Sequence, residues 1–209
     1  MNNKLFLWSL GVIGIFIALH SIFGARFDIF NLDRERTPAA IFSSLQFIAS
    51  GYALCVISFL SMTRVKKMLW GTLGGMFVFL GLDEISELHE NVAYYFANYF
   101  PHFSFFHSGT PMWVVFLSPC ILGIFILLVI AVREIYAHSS TTGRVLIGGC
   151  IAVISALILE FLGGVTMLRG FLPFFVVIEE SAELVAGTFF LWGFSTYARE
   201  RFFLSFTKK

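Results

Sequence analysis

Charged residues are scarce in this sequence: Asp, Glu, Lys and Arg make up 13% of the 209 residues, and the formal net charge at pH 7 is +1. Such a chain lacks the basic surface with which proteins bind nucleic acids, and it has no zinc-finger spacing or basic arm that would supply one. We therefore exclude a nucleic-acid partner. Because soluble domains carry about 25% charged residues, the scarcity of charge also argues against a soluble protein.

Cysteine and histidine are few as well. Cys55, Cys120 and Cys150 lie far apart, each among apolar residues, which excludes a disulfide framework and a C-x-x-C motif for redox chemistry or zinc. The five histidines are too dispersed to supply the convergent ligands of a zinc hydrolase. No Ser, Thr or Cys nucleophile stands next to a recognisable base. If the protein is an enzyme, its motif is an unfamiliar one.

Long apolar runs dominate the chain: 58% of the residues are hydrophobic and the mean hydropathy is +0.86. A hydrocarbon core of ~30 Å requires about 20 apolar residues in a helix, and six segments have that length. They cover residues 5–24, 39–62, 68–90, 112–133, 145–168 and 173–197. These segments predict an all-α fold, an integral membrane bundle of six transmembrane helices that forms one domain over residues 1–209.

The distribution of Lys and Arg predicts the orientation of these helices. With six spans, ten basic residues fall on the side that holds both termini and four fall on the other side. The positive-inside rule therefore predicts that both termini are cytoplasmic. The ten are Lys4, Arg64, Lys66, Lys67, Arg133, Arg144, Arg199, Arg201, Lys208 and Lys209, and the four are Arg26, Arg34, Arg36 and Arg169.

Two acidic stretches interrupt the apolar segments. Residues 82–91 read L-D-E-I-S-E-L-H-E-N, and residues 175–187 read F-V-V-I-E-E-S-A-E-L-V-A-G. At a rise of about 1.5 Å per residue, both fall in the outer half of the bilayer, and so do His20, Gln46 and Glu160. An ionised carboxylate at this depth costs about 2.5 to 3.5 kcal/mol. We therefore expect the acids to hold protons, bound cations or water that is open to the outside.

Helical periodicity predicts how the first acidic stretch is arranged. At 100° per residue, Asp83, Glu87 and Glu90 form one stripe on the third helix. Glu84 flanks this stripe. His89 falls near the opposite side, so it is not certain from the spacing that it joins the same cluster.

The second acidic stretch forms a stripe on the sixth helix, where Glu179, Glu180 and Glu183 share one face. Gly187 follows on that face and leaves room for a close partner. The two stretches, together with Glu160, define the candidate metal site. Its residues are Asp83, Glu84, Glu87, His89, Glu90, Glu160, Glu179, Glu180 and Glu183.

Carboxylate-rich sites with a histidine in a helical bundle suit iron or manganese. The usual Glu-x-x-His signature of such sites is absent, and Glu-x-x-Glu stands in its place at 84–87, 87–90 and 180–183. The cofactor expected is a divalent metal, namely iron, manganese or zinc, if there is one at all. Glu180-x-x-Glu183 resembles the Arg-Glu-x-x-Glu motif of high-affinity iron permeases, but Glu179 replaces the arginine and no second copy is present, so that activity is not carried over.

The pairing of L-D-E and H-E on one helix with E-E-x-x-E on another resembles a set of small bacterial multi-pass membrane proteins of unassigned function. The resemblance covers two stretches of about ten residues. It implies a location in the bacterial inner (plasma) membrane and brings no substrate. It also implies that seven residues act as a unit: Asp83, Glu84, His89, Glu90, Glu179, Glu180 and Glu183.

Three functions remain open. The first is a membrane protein, transporter-like or sensory, that binds a divalent metal or protons at an acidic site reached from outside. The second is a metal-dependent enzyme that acts on a lipid or quinone at the outer leaflet. The third is a structural subunit of a larger membrane complex, or a homo-oligomer, in which the acids pair with basic residues of a partner.

Overall fold

The computed structural model describes residues 3–24, 26–32, 37–89, 91–92, 95, 112–163 and 172–207. Within these residues it is all-helical, which confirms the predicted fold class. Besides a short 3-10 turn at Asp28–Phe30, it contains six long helices. They are α1 (Asn3–Phe23), α2 (Pro38–Leu60), α3 (Arg64–Ser86), α4 (Met112–His138), α5 (Ser140–Gly163) and α6 (Leu172–Thr207).

The helices α1 to α5 are each long and apolar enough to cross a membrane. The last helix, α6, contains 36 residues and is therefore about 54 Å long. Many large apolar side chains point away from the bundle, among them Phe59, which is 83% exposed, and Trp8, which is 73% exposed. Such surfaces suit contact with lipid. The chain is therefore a helical membrane protein.

Threonine caps fix the starts of α2 and α3. The Thr37 hydroxyl oxygen accepts a 3.3 Å hydrogen bond from the backbone N–H of Ala40, and Pro38 lies in the first turn of α2, as predicted. The Thr63 hydroxyl oxygen accepts a 3.4 Å bond from the N–H of Lys66. The predicted segments 39–62 and 68–90 leave residues 63–67 as a connection, and this start of the third helix is wrong, because the cap at Thr63 begins α3 at Arg64.

The connection between α4 and α5 is also shorter than predicted. The predicted segments 112–133 and 145–168 leave residues 134–144 between them, but α4 continues to His138 and α5 begins at Ser140. Only Ser139 lies between them, and its hydroxyl oxygen accepts a 3.4 Å bond from the N–H of Thr142. The side-chain cap satisfies the first turn of α5, so no longer loop is needed.

Small residues bring α2 and α3 into close contact. A Cβ atom at Gly51 would lie 2.7 Å from the carbonyl oxygen of Gly74, and one at Gly81 would lie 2.7 Å from the carbonyl oxygen of Ser44. This is the packing expected of membrane helices, where glycine lets two backbones approach. Gly74 takes part in this contact, whereas Gly75 faces open space.

Aromatic layers fill the antiparallel interface between α3 and α6. Trp70 packs against Tyr197 with ring centroids 5.8 Å apart, and Phe77 packs edge-on against Phe190 at 5.0 Å and against Phe194 at 5.3 Å. All five side chains are buried. The layers recur every seven residues on both helices, a spacing that keeps side chains on one helix face. The centre of the bundle is therefore filled by layers of buried aromatic rings.

Polar side-chain contacts join the helices at the end of the bundle that holds Ser139. Lys66 Nζ lies 2.6 Å from Glu134 Oε1, and His138 Nε2 lies 3.6 Å from Glu200 Oε2. These pairs connect α3 to α4 and α4 to α6. We refer to this end as the basic end, and to the opposite end, where α3 ends and α6 begins, as the acidic end.

The first helix lies at the edge of the bundle. Phe6 stacks on Phe189 of α6 with ring centroids 5.5 Å apart, and Phe16 meets Phe42 of α2 at 5.8 Å. A small second core, separate from the aromatic layers, also holds it in place. That core consists of Ile13, Leu32, Ala39 and Leu184.

Candidate functional site

The helix α3 ends within the first acidic stretch. Glu87 adopts the left-handed conformation, with φ 56° and ψ 32°, and its N–H donates a 2.9 Å hydrogen bond to the carbonyl oxygen of Asp83. Among the described residues it is the only non-glycine residue with positive φ. The prediction that this helix continues to residue 90 is therefore wrong. A residue in this conformation ends an α-helix, because the chain turns away from the helix axis.

This turn brings His89 back to Asp83. The His89 N–H donates to Asp83 Oδ1 at 3.0 Å, and the ring Nδ1 lies 2.9 Å from Asp83 Oδ2. Both side chains are partly buried. The prediction that His89 lies near the opposite side of the helix is wrong for the same reason: the 100° rule applies to a continuous helix, and the helix is interrupted at Glu87.

Glu84 lies next to this pair and faces the bundle. Its carboxyl group interacts electrostatically with Asp83 and His89 and is adjacent to the side chain of Ser43 on α2. The Ser43 hydroxyl is buried, with 1% of the residue exposed. Within the described part of the chain, its Oγ has no partner at hydrogen-bond geometry.

Glu183 on α6 interacts with acidic side chains from three helices. It interacts electrostatically with four other carboxyl groups. They belong to Glu84 on α3, Glu160 on α5, and Glu179 and Glu180 on α6 itself. The structure thus brings five of the predicted acids into one cluster, and Glu84 links that cluster to the Asp83–His89 pair.

Glu84 and Glu183 continue the seven-residue spacing of the aromatic layers. Glu84 follows Phe77 by seven residues on α3, and Glu183 precedes Phe190 by seven residues on α6. At 1.5 Å per residue, the acidic layer lies about 10 Å from the phenylalanine layer. One face of each helix therefore carries aromatic residues towards the basic end and a carboxyl group at the acidic end.

Gln46 adds a polar group from α2. Its Nε2 donates a 2.7 Å hydrogen bond to the Thr188 hydroxyl oxygen, while its Oε1 is buried without a hydrogen-bond partner among the described residues. A Cβ atom at Gly187 would lie 2.6 Å from that Oε1. The predicted close partner at Gly187 is thus confirmed, and it is Gln46.

Two polar residues of the site were not among the predicted ligands. Ser43 and Thr188 are both buried, and each contacts a residue that was singled out. A signal for Ser43 exists in the sequence, since Ser43, Gln46 and Ser50 are spaced by three and four residues and therefore share one face of α2. That face is buried in the bundle.

Other predicted residues lie apart from the cluster or outside the described residues. Glu87 forms the turn after α3. Glu90 lies outside the described residues, and so does most of the chain between α3 and α4. His20 accepts a 3.0 Å hydrogen bond from the N–H of Leu32 at its Nδ1, and so ties the following loop to α1.

The acidic side chains do not by themselves form a ready metal centre. Within the described ranges, no three His, Cys, Asp or Glu side chains are grouped so that they could hold a metal ion. The cluster is instead an electrostatic one, in which carboxyl groups from α3, α5 and α6 share a partly buried space with neutral oxygen atoms from α2.

Comparison with known proteins gives a family without a described activity. No curated protein and no solved structure matches the chain. A family model described as "Domain of unknown function (DUF8692)" matches residues 5–198, which is nearly the whole chain. The chain belongs to this DUF8692 family.

Proposed function

We propose that this protein binds cations, either protons or a divalent metal ion, in an intramembrane site in the outer half of the bilayer, as part of a transporter-like or sensory activity. The observation that carries the proposal is the convergence on Glu183 of carboxyl groups from α3, α5 and α6. Each of these groups lies on a helix of a membrane bundle rather than in a solvated loop.

The physical reason for cation binding is that clustered negative charge within a membrane is unfavourable in free energy. In the described part of the chain, all the charges that act on Glu183 are other carboxylates. Like charges repel, and an ionised carboxylate within a membrane helix costs about 2.5 to 3.5 kcal/mol. A bound proton or metal cation offsets both effects. Such residues in membrane proteins commonly mark ion paths or proton relays.

The proposal includes a topology. We infer that α6 is a sixth span, that both termini are cytoplasmic and that the protein lies in a bacterial inner membrane. The support is that α6 packs closely against α2 and α5, and that its buried rings between Phe190 and Tyr197 meet those of α3. The excess of Lys and Arg at the basic end then favours a cytoplasmic position for it.

The aromatic layers favour access to the site from the outer side. Between Glu183 and the basic end, Phe77, Phe190 and Phe194 pack with at most 2% of each residue exposed. Buried aromatic rings at this density leave little space for a hydrated ion. A cation that reaches the carboxyl groups is therefore expected to enter at the acidic end.

The test compares Glu183→Gln with Glu200→Gln, which changes the same helix at the basic end. For each purified protein, the metal content is measured by elemental analysis, and the protonated carboxyl groups are followed by infrared spectroscopy during a pH titration. We expect Glu183→Gln to lose bound metal or one titrating carboxyl signal, and Glu200→Gln to retain them. A Glu183→Gln protein identical to wild type in both measurements would overturn the proposal and favour acids that pair with a partner subunit.

The topology has a separate test. In a variant without the three native cysteines, single cysteines are placed by Asp28→Cys and Ser140→Cys, both at exposed positions. A membrane-impermeant maleimide is then added to intact cells. We expect it to label the cysteine at position 28 and to label that at position 140 only after permeabilisation. The reverse pattern would overturn the orientation.

A further inference from the structure

Two buried oxygen atoms on α2 carry the inference: Gln46 Oε1, which has no hydrogen-bond partner in the described part of the chain, and Ser43 Oγ, which neighbours the Glu84 carboxyl group without a hydrogen bond of good geometry. Ser43 is 1% exposed and Gln46 is 3% exposed. Buried polar atoms are almost always hydrogen-bonded, because leaving one unpaired costs free energy. An unpaired amide oxygen one turn away from a hydroxyl that neighbours a carboxyl group points to a ligand that binds between these atoms and their surroundings.

Both atoms lie beside the acidic cluster, one next to a member of it and the other one helical turn away. Ser43 is adjacent to the carboxyl group of Glu84. Gln46 Oε1 lies against Gly187, which is one turn after Glu183 on the same face of α6. Thus α2, which contributes no carboxylate to the cluster, contributes two neutral oxygen atoms to it.

The chemistry of these oxygen atoms limits the kind of ligand that can bind. An amide oxygen has only lone pairs to offer, so its partner is a hydrogen-bond donor or a cation. Two carboxylates, a hydroxyl and an amide oxygen form an all-oxygen set, which suits Mg²⁺, Mn²⁺ or Ca²⁺ better than Zn²⁺, which favours nitrogen and sulfur ligands.

This set also explains how a metal can bind where no three acidic or histidine ligands are grouped. Oxygen-preferring ions such as Mg²⁺ keep several water molecules and are bound through one or two carboxylates. Glu84 and Glu183 would supply these from α3 and α6, and the neutral oxygen atoms of α2 would complete the set.

Building on the proposed function, we propose that Ser43 and Gln46, together with Glu84 and Glu183, form an oxygen site for a hard divalent cation of the Mg²⁺, Mn²⁺ and Ca²⁺ class. The proposal names the ligand class and assigns two ligands on α2. It differs from the sequence-based expectation of iron, manganese or zinc held by acidic residues and histidine alone.

The experiment measures Mn²⁺ binding to the purified full-length chain by electron paramagnetic resonance. Ser43→Ala and Gln46→Leu are each expected to weaken Mn²⁺ binding roughly tenfold. Ser50→Ala is the matched control, because the Ser50 hydroxyl is buried on the same face of α2 but donates to the Gln46 carbonyl oxygen of its own helix at 2.7 Å. It should leave the affinity unchanged. Mg²⁺ and Ca²⁺ should compete with Mn²⁺ for the site. Zn²⁺ should not compete more strongly than Mg²⁺ or Ca²⁺.

A rescue variant separates loss of a ligand from loss of the fold. Gln46→Glu keeps an oxygen atom at the same position and should bind Mn²⁺ at least as tightly as wild type. Equal affinity in wild type, Ser43→Ala and Gln46→Leu would overturn the assignment. If no Mn²⁺ binds but Glu183 still gives a titrating carboxyl signal, the proton form of the proposed function stands and this inference fails. If neither signal is present, both fail.

Discussion

Glu84 on α3 and Glu183 on α6 interact at the position where the same two helices, seven residues further into the bundle, place Phe77 against Phe190. The interface that closes the bundle with aromatic rings thus ends in two carboxyl groups. Because the heptad spacing is shared, the acids are oriented by the same packing that buries the rings. Their mutual proximity is a property of the fold and does not depend on a flexible loop.

Replacing the two acids tests whether they repel each other. In metal-free buffer, at a pH high enough to ionise both carboxyl groups, Glu84→Gln and Glu183→Gln should each raise the free energy of unfolding, because each removes the same unfavourable contact. The double variant should gain less than the sum of the two, with a coupling of about 1 kcal/mol or more. Denaturation in mixed micelles provides the measurement. Strictly additive effects would contradict a direct interaction.

The phenylalanine layer should contribute strongly to stability. Phe77→Ala leaves a cavity between α3 and α6 and should lower the free energy of unfolding by about 3 kcal/mol or more. Phe59→Ala is the control, since Phe59 is 83% exposed at the bundle surface. Its effect should be much smaller. Thermal or denaturant unfolding of the purified variants measures both, and similar losses would show that Phe77 is not a packing centre.

Close contact between α2 and α3 depends on Gly51. In Gly51→Ala the new Cβ would lie 2.7 Å from the Gly74 carbonyl oxygen, so the helices must separate, at a cost of about 1 to 3 kcal/mol. Gly75→Ala is the matched control on α3, where nothing lies within 4 Å. Because alanine favours helix, it should be neutral or stabilising by up to ~1 kcal/mol. An equal loss in both variants would refute the assigned packing.

The left-handed turn at Glu87 is tested by comparing glycine with alanine. Both substitutions remove the Glu87 side chain, so their difference reports on the backbone alone. Glycine adopts positive φ without penalty, whereas a residue with a Cβ pays about 1 kcal/mol. Glu87→Gly should therefore be about 1 kcal/mol more stable than Glu87→Ala. Equal unfolding free energies would indicate that the chain does not turn there in solution.

The sequence predicts the helices of this protein better than it predicts their ends. Apolar runs locate all six helices, because length and hydropathy are local properties. The charged residues after Thr63 lie outside the predicted third segment, which begins at residue 68, yet Thr63 caps a helix that begins with them. The left-handed Glu87 had no local signal, since glycine or asparagine is the usual residue in that conformation.

For the candidate site too, the sequence predicts the local features and misses those that depend on tertiary packing. The convergence of Glu183 with acids on other helices was expected from depth along the helices alone. The pairing of Gln46 with Thr188 depends on how α2 packs against α6, a tertiary relation that helical periodicity does not contain. The return of His89 to Asp83 depends in turn on the unpredicted turn at Glu87.

The aromatic layers between the acidic cluster and the basic end have a thermodynamic consequence. If the rings stay closed, a cation bound near Glu183 exchanges with one compartment only. Its occupancy then reports the chemical potential of that ion on a single side of the membrane and is insensitive to its concentration on the other. On the proposed function, such a protein would act as a sensor of that ion, and transport would require the packing of Phe77 against Phe190 to open.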